Sequence, residues 1–196
     1  MQNPAISLLT VCGLEELEEH SSRGVTHVLS ILDPSWPEPT AFGGFGEHRR
    51  TVLRFHDIIQ PIEGQILPQR EDVEMILGFI DDLIDDESRG EDAHVLIHCH
   101  AGISRSTAAM AMLLAKMDPR ESEQALIERL HAIREKAWPN SRMIALADEI
   151  LGRDGRLIEA VRRLHARQLQ VRPQIADFMR DNGRAAEVEA ALRDAA

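Results

Sequence analysis

The chain is 196 residues long with a formal net charge of −11, a balance that argues against a nucleic-acid or anionic-membrane surface. Hydrophobic residues make up 43% of it, enough for one packed domain or one domain with a small appendage, and no apolar run reaches the ~18 residues of a membrane span. Two cysteines, Cys12 and Cys99, do not make a disulfide framework.

In chain order, Met1–Thr10 lacks the basic patch and apolar stretch of a secretory signal, which points to the cytoplasm. Ile6–Val11 predicts a strand, Leu14–Ser22 a helix and His27–Leu32 a second strand. Cys12 reads as a core residue at a strand end, with an oxidative disulfide to Cys99 as the alternative. A Pro/Gly-rich loop runs from Asp33 to His48, where Trp36 and Phe42 are either a substrate rim or lids on the core. Thr51–Phe55 predicts a third strand, followed at once by His56 and Asp57. Arg70–Asp85 predicts a helix with Val73, Ile76, Leu77, Ile80 and Ile84 on one face. The acidic run from Asp81 through Glu87 reads as its solvated end.

His94–His98 predicts the central strand. Asp118-Pro119-Arg120-Glu121 has the N-cap, Pro and Glu pattern of a helix start. Residues 154–196 read as helical, with Leu157, Ile158, Val161 and Leu164 on one stripe, Pro173 opening a further helix and Asn182-Gly183 closing it. The order predicts an α/β fold, a mostly parallel central sheet flanked by helices, with a C-terminal helical extension. We set the boundaries at 1–152 for a catalytic domain and 153–196 for the extension. The first part carries a net −13 and the second +2. Packing on the core is the simplest task for the extension, against dimerisation or partner docking. Nothing in the sequence sets the oligomeric state.

Chemistry concentrates in His98-Cys99-His100-Ala101-Gly102-Ile103-Ser104-Arg105-Ser106. An apolar strand precedes this segment and a helical run follows it, so its backbone amides and a helix N-terminus face one small volume suited to an anion. In a chain with 20 Arg and two Cys, the Cys-to-Arg spacing alone arises by chance roughly one time in five. The strand, glycine and helix around it raise the signal. A free thiol has a pKa near ~8.5 and must ionise to attack; loop amides, the helix N-terminus and Arg105 each favour the thiolate. The Arg105 fork holds two phosphoryl oxygens in a way Lys cannot. Gly102 permits close backbone approach or positive φ. A buried structural thiol is the alternative for Cys99, and metal ligation by His98, Cys99 and His100 is disfavoured because no second ligand pair appears.

The segment resembles the cysteine-dependent protein tyrosine phosphatases, in their dual-specificity-like, bacterial-type branch with the HCxxGxSRS signature. The resemblance spans about residues 5–152. It implies a phosphocysteine intermediate on Cys99, a phosphate-binding loop from His100 to Ser104 closed by Arg105, no metal and no cofactor. It further implies that Ser106 bonds the departing sulfur, that His98 helps set the thiolate, and that a carboxylic acid on a loop after a neighbouring strand protonates the leaving group. Asp57 fits that place, with Asp33 and His56 in reserve. Trp138-Pro139-Asn140 resembles the turn before a later helix, which makes Asn140 a supporting residue. Leu146 stands where such phosphatases often carry a glutamine. The implied substrate is a phosphorylated protein or small phosphomonoester, tyrosine first, with serine and threonine also open. A catalytically silent phosphate-binding module is the alternative. A sulfur-transfer or arsenate-reducing enzyme is disfavoured because paired cysteines are missing.

Overall fold

In the computed structural model, which describes residues 6–85 and 93–195, four strands form one sheet. They are β1 (Ile6–Cys12), β2 (His27–Leu32), β3 (Arg49–Arg54) and β4 (Ala93–His98), in the order β1-β4-β2-β3 with every pairing parallel. Strands β2 and β4 are buried at all six positions, as central parallel strands covered on both faces must be.

Alternation along the strands divides the core in two. Val11, Leu29, Ile31, Leu53, Val95 and Ile97 face a large helical layer. Cys12, Val28 and Leu96 face a small cluster with Leu17 and Val25, which Leu14, Ala41, Phe42 and Phe45 cover. The helical layer is built around α2 (Arg105–Met117), buried at every position from Arg105 to Ala115. From Ala108 to Ala115 it is apolar all round because the sheet and other helices enclose it. Against it lie α1 (Arg70–Asp85), α3 (Glu123–Ile133) and α4 (Ser141–Ile150), and α5 (Arg156–Val171) packs on α3 and α4. The short α6 (Ile175–Asp181) and α7 (Ala185–Ala195) follow.

The predicted helix over Leu14–Ser22 is a 3-10 helix, Leu14–His20. Its only buried residues, Leu17 and His20, are three apart, the period that brings both inward in that tighter turn. The third strand begins two residues earlier than expected, at Arg49. No helix starts at Asp118: its amide still bonds Leu114 and closes α2, while its side chain takes the Arg120 amide at 3.2 Å in a turn. Ser122 caps α3 instead, accepting from the Ala125 amide. Of the acidic run from Asp81 through Glu87, Asp81 and Asp82 are exposed on the last turns of α1 as expected, while 86–87 lie outside the described residues.

The extension is tied to the core by polar and apolar contacts. Asp148 of α4, 3% exposed, accepts from the amides of Gly155, Leu157 and Ile158 and so caps α5 from outside it. Arg153 donates to Glu123 and to the Ala115 carbonyl. Leu157, Val161 and Leu164 join the helical core, whereas Ile158, one position off the stripe, is exposed. A second cluster joins Trp138 to Ala166, Leu169, Ile175, Met179, Val188 and Ala191. Asn182 and Gly183, at φ +74°, close α6 as the pattern predicts.

Candidate active site

The carboxyl ends of β1, β2, β3 and β4 lie side by side, in register through Cys12–His98, Ser30–His98 and Leu32–Arg54. Asp33, Asp57 and Cys99 therefore leave the sheet at one edge, where open parallel sheets hold ligands. Between β4 and α2 the chain turns tightly against the end of β1. Gly102 has φ +65°, and a Cβ there would sit 2.4 Å from the Cys12 carbonyl carbon and 2.6 Å from the Gly13 nitrogen. Only glycine fits.

The loop carbonyls point away from the site and are held. His100 O accepts from the Leu14 amide at 2.9 Å, Ile103 O from the Trp138 amide at 2.8 Å, and the carbonyls of Ala101 and Gly102 from the Arg134 guanidinium. Glu16 pins Arg134 from the other side. Across a trans peptide the N–H opposes the C=O, so the amides of Ala101, Gly102, Ile103 and Ser104 face inward together. Cys99 sits at the entrance, 2% exposed, with its Sγ 3.1 Å from the Ser106 hydroxyl. Arg105 closes the loop. Its Nη1 donates to Asp33 Oδ1 and to the Phe55 carbonyl, each at 2.6 Å, while its buried Nε has no protein partner.

Asp57 lies across from the loop and lines the cavity. Its Oδ1 accepts from Ser104 Oγ at 2.7 Å, Asn140 Nδ2 at 2.9 Å and Arg184 Nη1 at 2.9 Å. Burial pushes this carboxyl up. The charges of Arg184 and Arg105 and the bonds from Asn140 and Ser104 outweigh that and hold it below the ordinary aspartate value. Asn140 is fixed at both ends: its Oδ1 caps α4 through the amides of Arg142 and Met143, leaving Nδ2 for Asp57.

His98 lies beneath the loop and is fully buried. Its Nε2 pairs with Ser30 Oγ at 2.6 Å, and burial pushes its pKa down to about 4, which keeps the ring neutral. His100 Nε2 accepts from the Asp33 amide, and its ring lies 4.4 Å from Trp36. Cys12 is a free thiol that burial, ahead of the Glu16 charge, pushes up to about 12. A thiol so hard to ionise is a poor disulfide former.

Asp33, Asp57, Cys99 and Arg105 line a cavity of about 600 Å³. The reserve acids therefore share the site, Asp33 on Arg105 and His56 beside Asp57, the latter with Nδ1 on the Ile66 amide. Of the two readings open for Trp36 and Phe42, substrate rim or lids on the core, the rim is not what is found, since neither lines this cavity. Trp36 stands over His100, and Phe42 packs on the opposite face of the sheet against His98 and under the Arg50 guanidinium. The rim is Ile62 and the α6 end with Phe178, and Arg184, buried just past α6, lines the cavity below it. Sequence reasoning missed Arg184 and Arg134, because their contacts span 127 and 118 positions and leave no local signature. Among the described residues no group of three or more His, Cys, Asp or Glu is placed to hold a metal, and no helix is long and apolar enough to cross a membrane.

No protein-family model and no curated protein matches the chain. Solved structures do. The Cydia pomonella PTP-2 phosphatase superposes with a TM-score of 0.56 at 17% identity, over 75% of this chain and 88% of that one. DUSP15 gives 0.55 at 19%, over 86% and 92%. A human tyrosine phosphatase-like serine/threonine/tyrosine-interacting protein gives 0.52 at 21%, over 73% and 87%. The fold is that of the protein tyrosine and dual-specificity phosphatases.

Proposed function

We propose that this chain is a cysteine-dependent phosphatase that hydrolyses phosphate monoesters through a phosphocysteine, acting on phosphotyrosine and, as a dual-specificity enzyme, on phosphoserine or phosphothreonine. One observation carries the reading: Cys99 Sγ lies at the mouth of a loop of inward amides, between Ser106 and an arginine with an unpartnered Nε, with Asp57 across the cavity.

The phosphoryl dianion takes the amides of 101–104 and the free edge of Arg105, exchanging with Asp33 for that guanidinium. The Cys99 thiolate attacks phosphorus, the P–O bond to the leaving group breaks, and Asp57 gives its proton to the departing oxygen. A water then attacks the phosphocysteine while the Asp57 carboxylate takes its proton. The P–S bond breaks, phosphate leaves, and the Ser106 hydroxyl donates to the returning thiolate. His98 stays neutral beneath, and Asn140 keeps Asp57 in place. No step calls for a metal or cofactor. The substrate is a phosphorylated protein or small phosphomonoester, and Ile62 with Phe178 gives an aromatic leaving group an apolar wall. The free-thiol chemistry suits a reducing compartment, the cytoplasm. Residues 1–152 form the catalytic unit and 153–196 its flanking extension.

A silent phosphate-binding module is the second reading. Two observations favour it: Arg105 is already paired with Asp33, and Asp57 is held toward its ionised form. Hydrolysis of p-nitrophenyl phosphate without added metal separates the two. Cys99→Ser abolishes turnover while vanadate binding survives. Activity retained by Cys99→Ser, or lost on EDTA treatment, overturns the proposal. A panel of phosphopeptides then ranks tyrosine against serine and threonine.

A further inference from the structure

Resting on the phosphatase reading, we infer that Arg184, delivered by the C-terminal extension, is a positioning residue for the acid Asp57: it pins Oδ1 so that Oδ2 carries the proton toward the leaving oxygen. The Arg184 side chain is 1% exposed and sits between two carboxylates. Its Nη1 donates to Asp57 Oδ1 at 2.9 Å and to Ser104 Oγ at 2.8 Å, closing a triangle with the Ser104-to-Asp57 bond. Its Nη2 donates to Glu187 Oε1 at 2.6 Å.

A guanidinium can be buried only if paired and hydrogen-bonded, and one carboxylate, Glu187, meets that requirement within α7 itself. The second carboxylate is the one that lines the cavity. Glu187 is fixed in turn, its Oε1 on the Ser141 amide and its Oε2 on the Trp138 indole, which stacks on His165 at 4.2 Å. The turn that presents Arg184 rests on the chain just after Asp57: a Cβ on Gly183 would lie 3.2 Å from Ile62 Cδ1. Three donors on Oδ1 leave Oδ2 as the oxygen that can hold a proton. General acids work only at hydrogen-bond reach and correct angle, and ~1 Å of misplacement can cost about 10² in rate.

The test is leaving-group dependence in the full chain. Phenyl phosphate, whose phenolate resembles the tyrosine leaving group, needs a proton; p-nitrophenyl phosphate, which releases a stabilised anion, needs it less. Arg184→Met lowers kcat on phenyl phosphate by roughly 10- to 100-fold and by a much smaller factor on p-nitrophenyl phosphate, with KM and vanadate binding little changed. Arg184→Lys, which keeps charge but not the fork, falls between, and it carries the comparison if the methionine variant does not fold. In an Asp57→Asn background, Arg184→Met adds little, because the two act as a unit. Equal losses on both substrates, or full additivity with Asp57→Asn, overturn the inference while leaving the phosphatase reading intact. A wild-type chain without activity overturns that reading first.

Discussion

Asp57 combines two requirements that pull against each other. To donate a proton it must be protonated, yet Arg184, Arg105 and two hydrogen bonds favour its carboxylate. Bringing a phosphoryl dianion beside it pushes its affinity for the proton back up, since like charges oppose ionisation. The expected pH behaviour follows from the sign. The acid is lost as pH rises through its pKa, and that pKa is depressed, so kcat/KM falls with rising pH from an optimum on the acidic side of neutrality. Asp57→Asn removes the group, lowers kcat by about 10²–10⁴ on a poor leaving group, and flattens this falling limb. Initial-rate pH profiles of the two proteins check both; a limb that survives the substitution belongs to another group.

Elements here are positioned by side chains that reach outside them. Asn140 caps α4 and holds Asp57 with the other end of one amide, so the start of a helix and the placement of an acid share a residue. Asp148 does the equivalent for α5, taking the amides of Leu157 and Ile158 in its first turn and of Gly155 just before it, although it belongs to α4. Asp148→Ala is expected to cost about 1–2 kcal/mol, the usual size of a lost cap, and more because buried amides are left unpaired. Urea unfolding with the midpoint as readout checks it, and a stability equal to wild type would mean that water replaces the cap in full. Arg134 belongs to the same class, a side chain from the end of α3 that holds the phosphate loop by its carbonyls.

Over the whole molecule, two buried histidines link stability to acidity. His98 and His165 are both pushed down to about 4, in each case chiefly by burial. A histidine that must stay neutral when folded but protonates near ~6.5 when unfolded gives the unfolded state more protons between those values. Stability is therefore intact at neutrality and declines as pH falls from about 6.5 to 4, by on the order of 3 kcal/mol for each ring. Thermal melts at pH 7 and pH 5 read this directly: Tm drops at pH 5, and His165→Gln shrinks the drop. An unchanged Tm would show that neither ring titrates apart from its unfolded value. Activity that favours acid and a fold that weakens in acid leave a narrow working range.

Features that lie close along the chain or repeat with a fixed period could be read from the residues alone. Cys99, Gly102, Arg105 and Ser106 fall within eight positions, because a strand, a tight loop and a helix start make an anion cradle from local backbone alone. Apolar runs marked the four strands and helical stripes marked α1 and α5, whereas α7 and the 3-10 turn at Thr40–Gly44 carried no distinct signal; Asp57 was picked out by analogy of motif order, and the structure places it on the cavity. A local signal failed at Asp118, whose cap pattern was in place but whose amide the end of α2 took, so that α3 starts from Ser122 instead. Which distant groups meet was settled by packing in three dimensions. It placed Arg184 on Asp57 and Arg134 under the loop, and it turned Trp36 and Phe42 away from the cavity in favour of Phe178. Those outcomes depend on how the helices pack against the sheet, and packing brings together residues whose separation in sequence carries no trace of their contact.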